Sequence, residues 1–147
     1  MNVWTRALIV ALSLGGCADP AAVDTGPDEP LLFLVQRTRP NTAMEALYQG
    51  PVEVDQQGCF RLALEPDRHT VVWPFGSRLV RDQASLIVLD EDGDRLGRVG
   101  ENLRLGGGEV PGVPDARVLT EEMRAAAAER CPGRFWIVGT VSPATPR

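Results

Sequence analysis

Asp90, Asp92, Asp94 and Glu101 fall at positions 1, 3, 5 and 12 of a calcium-loop register, the spacing at which alternate carboxylates converge on a hard cation. Position 6 of that register needs glycine to turn the chain, and here it is Arg95. Apolar runs flank the segment on both sides, so Asp90–Asp94 reads as an Asp-Gly hairpin turn with its acids in solvent, and calcium coordination is the alternative. His69 is the only histidine, which excludes histidine-rich zinc sites and paired acid–base histidines by count. A hydrolytic triad would need it beside Ser77, Ser85 or Ser142, and no Gly-x-Ser-x-Gly elbow is present. Within Glu65-Pro66-Asp67-Arg68-His69 it reads as a surface turn residue. Gly106-Gly107-Gly108 opens no helix and is followed by no lysine, so a bend or a close backbone approach replaces a phosphate cradle. Trp73, Phe75 and Trp136 are the aromatics able to stack a sugar or a base, with core filling as their competing fate.

Charge narrows the partners. The 147 residues carry 15 basic and 20 acidic side chains, a formal net charge of −5. Every basic residue is arginine, and apart from Arg37 and Arg39 these are scattered without a patch. Nucleic acid is excluded as a partner, because phosphate binding needs clustered positive charge. Twenty carboxylates are compatible with a two-acid glycosidase by count. A domain of roughly 100 residues, however, leaves little room for the cleft such chemistry needs. No motif calls for a cofactor.

The first seventeen residues carry an address. Met1 to Arg6 has one positive charge, Ala7 to Leu14 is an apolar run, and Gly15-Gly16 supplies small residues for cleavage, the pattern of a secretory signal peptide over 1–16. The apolar run is far shorter than the roughly 20 residues a membrane-spanning helix needs. Leu14-Gly15-Gly16-Cys17 resembles the bacterial lipobox, which implies cleavage before Cys17 and attachment of diacylglycerol to its sulfur. Two or three acyl chains anchor stably where one does not, so the resemblance places the chain on a membrane of the cell envelope, outside the cytoplasm. Ala18 after the cysteine implies, in a host with an outer membrane, the periplasmic face of that membrane. With Cys17 lipidated, Cys59 and Cys131 remain in an oxidising compartment, and one disulfide between them is the expected pairing.

The rest of the chain must position these groups. Residues 17–30 are rich in Pro and acid and poor in large apolar side chains, and read as a tether reaching on the order of 20 Å. The domain is expected over 31–141, with 142–147 as a disordered tail. Leu31–Val35 reads as an early strand. Val52 and Val54, the turn Asp55–Gly58, and Phe60, Leu62 and Leu64 form a hairpin. Thr70–Trp73 and Ser85–Leu89 are further strands, and Arg95–Leu105 is a bent one, broken at Gly97 and Gly100. Gly106–Gly108 and Pro111–Pro114 then read as a loop. Thr120 caps a helix with Glu121 and Glu122 in its first turn, Leu119, Met123, Ala126 and Ala127 on one face, and Pro132-Gly133 as its stop. Phe135–Val141 is the closing strand. Alternation puts Phe60, Leu62, Ile87, Leu103 and Ile137 in one core.

The expected fold is mainly β, a small OB-like bent barrel of five to six strands with one short helix before the last strand. The segments Gly58–Leu62, Val71–Pro74, Val99–Gly108 and Cys131–Gly133 resemble a small domain that recurs, uncharacterised, in secreted bacterial proteins, over roughly Leu47 to Val141. That resemblance implies the fold and the disulfide and no activity. The expected function is a lipid-anchored, non-catalytic binding or structural module with a glycan or protein ligand. The alternatives are a small envelope hydrolase or a calcium-dependent protein.

Overall fold

The computed structural model describes residues 30–41, 44–64 and 66–144. The expected signal peptide, Cys17 and all of the tether but Pro30 lie outside the described residues. Nine strands and one helix follow in chain order: β1 (Leu34–Val35), β2 (Ala46–Val54), β3 (Phe60–Leu62), β4 (His69–Trp73), β5 (Arg78–Asp82), β6 (Ser85–Leu89), β7 (Arg95–Arg98), β8 (Asn102–Val110), α1 (Glu121–Arg130) and β9 (Phe135–Pro143).

Five strands close a barrel. β2 pairs antiparallel with β3 and with β8, β3 with β4, and β8 with β9. The ring closes where β4 and β9 run parallel, Val71 opposite Trp136. Counted among barrel strands alone, the order around the ring is first, second, third, fifth, fourth, an OB-like arrangement. β1 adds to β4 in parallel through Leu34 and Val35. The helix precedes the last strand, as expected, and a separate three-stranded meander, β5-β6-β7, lies between the third and fourth barrel strands.

Alternation along the strands divides the apolar side chains between two cores. Val52, Phe60, Leu62, Val71, Trp73, Leu103, Leu105, Trp136 and Val138 fill the barrel, with Val88 reaching in from the meander. Val72, Phe135 and Leu34, on the opposite phase, pack outside the barrel against Leu119 and Ala127 of the helical segment. Thr120 Oγ1 accepts from the Met123 amide at 3.3 Å, which caps α1. The Cys59–Cys131 disulfide ties the end of that helix to the β2–β3 turn, with a Cα–Cα distance of 6.0 Å.

Several expectations are corrected. The single bent strand Arg95–Leu105 is two strands in two sheets, parted at Val99–Glu101, where Gly100 has φ 86°. Gly106–Gly108 is not a loop but the middle of β8, where missing side chains let the strand press against β9 and Met44. Ile87 and Ile137 lie outside the barrel core. Ser85–Leu89 is apolar nearly throughout, so alternation does not mark its inner face, and Leu79 opposite Val88 sets it. On β9 the inner phase belongs to Trp136 and Val138. One extra residue, Gly139, then shifts the register against β8 and brings Val141 to the same side. β9 continues through Ser142 and Pro143, paired with Arg104 and Leu103, into the segment expected as a tail.

Candidate functional site

The β2–β3 turn is built by one carboxylate. Asp55 Oδ1 accepts from the Gln57 and Cys59 amides at 3.0 and 2.9 Å, and Gly58, at φ 76°, closes the bend. The other oxygen, Oδ2, accepts from Arg61 Nε at 2.7 Å. Arg61 also donates through Nη1 to Thr70 Oγ1 at 2.5 Å, across the β3–β4 ladder where the two residues are partners. Its side chain is only 9% exposed, so the guanidinium is held rigid by the barrel wall.

This fixed group lies in a cleft of about 910 Å³. The β2–β3 turn supplies one wall, Asp67 and Arg68 before β4 another, and Pro111, Pro132, Gly133 and Arg134 of the β8–β9 connection a third. In OB-type barrels the loops joining the first and second and the fourth and fifth strands frame the ligand face, and these are the corresponding loops. Three guanidiniums and two carboxylates line it, a polar surface with a small positive excess. Arg68 pairs with Glu53, and Arg134 with Glu109 and, at 3.6 Å, with Asp67.

Behind Arg134, His69 Nε2 lies 2.6 Å from Glu109 Oε2, and His69 Nδ1 lies 2.9 Å from the Asp67 carbonyl oxygen. His69 is 4% exposed, which corrects its reading as a surface turn residue. It opens β4, and Trp136 packs edge-on against its ring. Both ring nitrogens are engaged, leaving neither free to serve as a base toward a substrate. The hydrogen bond from His69, followed by the nearby Arg134 guanidinium, holds the Glu109 carboxyl below its ordinary range.

The expected ligand-face aromatics do not come together. Trp73 is fully buried, stacked on Phe33 with centroids 5.7 Å apart, and Trp136 is 5% exposed in the barrel core. Both take the inward phase of their strands, so core filling decides their fate. Phe75 alone is exposed, with the Arg39 guanidinium 5.7 Å from its centroid.

The acidic segment is a turn. Asp90 Oδ1 accepts from the Asp92 and Asp94 amides at 3.0 and 2.8 Å, while Glu101 binds Arg95 at 2.5 Å and the Arg98 amide. Among the described residues no three His, Cys, Asp or Glu side chains converge to hold a metal ion.

Arg61, Arg134 and Glu109 were not singled out by sequence. Alternation with Phe60 and Leu62 signals the opposite for Arg61, a solvent-facing phase, whereas in the barrel it is buried against Asp55 and Thr70. Glu109 and Arg134 carried no signal. No known protein family matches the chain, and no curated protein or solved structure is significantly similar to it.

Proposed function

We propose that the chain is a lipid-anchored, extracytoplasmic binding module without catalytic activity, tethered through Cys17 and taking an acidic glycan into the cleft around Arg61. The observation that carries this reading is the cleft itself, placed between the two loops that frame the ligand face of OB-type barrels and floored by an immobilised guanidinium. With Nε and Nη1 held by Asp55 and Thr70, Arg61 offers a ligand carboxylate its Nη2, which donates to no group among the described residues, and sugar hydroxyls suit the surrounding Asp55, Gln57 and Asp67 groups. Among the described residues no aromatic side chain lines the cleft, and the proposed selection is by hydrogen bonding rather than stacking. The engaged nitrogens of His69 support the non-catalytic part of the reading.

The test is calorimetric titration of the chain with a uronic-acid-containing oligosaccharide and with its neutral counterpart. The acidic sugar binds, the neutral one binds at least about tenfold more weakly, and Arg134→Ala reduces the acidic affinity by a similar factor, as loss of a charge-assisted hydrogen bond requires. Equal affinity for both sugars, or no heat with either, overturns the reading.

A further inference from the structure

β5 is an edge strand with a self-complementary sequence, Arg78-Leu79-Val80-Arg81-Asp82. Among the described residues it pairs with β6 alone, and all its side chains but Leu79 are exposed. The two-residue turn Gln83-Ala84, with Gln83 at φ 53°, makes Asp82 and Ser85 the closing pair of the hairpin. In such a hairpin Arg78, Val80 and Asp82 turn their backbone groups to β6, and Leu79 and Arg81 present theirs to the open edge. Among the described residues Arg78, Arg81 and Asp82 form no salt bridge. Val80 is one of the few large apolar side chains left exposed, at 38%.

We infer that two copies of this chain pair antiparallel through β5, centred on Val80. In that register Arg78 faces Asp82 of the second copy, twice, and Val80 faces Val80. Leu79 faces Arg81 in the two positions whose backbone groups point outward, so each of these pairs exchanges two hydrogen bonds. Charge excludes the alternatives. A parallel in-register pairing sets arginine against arginine, and an antiparallel register centred on Arg81 sets the two Arg81 side chains opposite each other, both destabilising. Centring on Leu79 leaves both Asp82 side chains unmatched. The chosen register also joins the Val80–Ile87 cross-strand pair to its copy, making one apolar strip over the four central strands of a six-stranded sheet, flanked by Arg98 on each β7.

Edge charges commonly protect a strand from pairing by repelling a second edge. Here the same charges attract a copy in one register only. Exposed ion pairs are weak, so they set the register while backbone bonds and the valine contact hold the pair.

The experiment uses the full chain in detergent, with Val80→Cys introduced and mild oxidant added, because directly opposed residues of a non-hydrogen-bonded pair are the closest across a ladder. A covalent dimer forms on a non-reducing gel. Adding R78D or D82R to V80C reduces its yield about tenfold, since two attractive pairs become repulsive ones. Combining R78D with D82R restores the yield, and so does mixing the V80C/R78D chain with the V80C/D82R chain, each of which alone gives the reduced yield. Restoration on mixing also shows that both variants fold. Absence of the dimer from V80C, or a yield unaffected by the charge reversals, overturns the inference.

Discussion

His69 and Glu109 meet around the start of β9, with Nε2 2.6 Å from Oε2 although the residues are 40 apart in sequence. His69 opens β4, Glu109 is near the end of β8, and Arg134, immediately before β9, binds the second Glu109 oxygen. One side chain from β4, one from β8 and one from the residue before β9 thus join a single polar clamp beneath the cleft. The Asp67 carbonyl accepts from Nδ1, so a single proton between Nε2 and Oε2 satisfies both atoms.

That clamp makes stability depend on acid. Glu109 has a lowered pKa in the fold, first through the His69 hydrogen bond, so its contribution is fully present above the ordinary glutamate value of about 4.3 and is lost as pH falls through the folded value. Urea midpoints measured from pH 7 down to pH 3 fall more steeply for the wild type than for Glu109→Gln, which starts lower at pH 7. Parallel curves would remove the clamp from the account.

The disulfide holds the end of α1 against the β2–β3 turn of the barrel. Cys59 and Cys131 are 72 residues apart, and a loop of that length stabilises the folded state by about 4 kcal/mol on the chain-entropy view. The Cys59→Ser/Cys131→Ser double variant therefore unfolds at a markedly lower urea concentration. In the wild type, thiol titration of the denatured, unreduced chain from Ala18 onward finds no free thiol.

Period-two alternation made β2, β3 and the hairpin around Asp55 legible, because the sequence records the barrel-facing phase at Val52, Phe60 and Leu62, whereas β4, buried on both faces between the two cores, was legible as an apolar run ended by Pro74. The same rule failed at Ser85–Leu89, where an unbroken apolar run carries no phase, and at β9, where Gly139 resets it. β5 was missed because its edge position leaves it mostly polar. The cleft was illegible for a different reason. Arg61 and Asp55 are close in sequence, whereas Glu109 and Arg134 reach His69 only after the barrel closes, and closure is set by strand order, which local pattern does not encode.

Gly107 tests the corrected reading of the glycine run. A Cβ there would run into the Ile137 carbonyl oxygen of the paired strand, a backbone atom that cannot turn aside. Gly107→Ala lowers stability by about 1–3 kcal/mol, the usual cost of overpacking a close contact. Gly112→Ala is the control, since nothing lies within 4 Å of its Cβ position. Its midpoint stays within about 0.5 kcal/mol of wild type, as for an ordinary surface change.

The proposed anchor has a chemical consequence that follows from the absence of lysine. If Cys17 is diacylated on sulfur and acylated on its α-amine, the mature chain has no primary amine, because all fifteen basic residues are arginine and the only α-amine is blocked. An amine-reactive dye then leaves the native lipoprotein unlabelled. The chain produced from Ala18 onward, which contains every described strand and the helix, takes up one dye at its free α-amine. That group has a pKa of about 8 and reacts at mildly alkaline pH. One label on the native form means that processing stops at the diacyl stage or that Cys17 carries no lipid. Intact mass separates these outcomes, because a diacylglycerol adds a hydrocarbon mass that an unmodified N-terminus lacks.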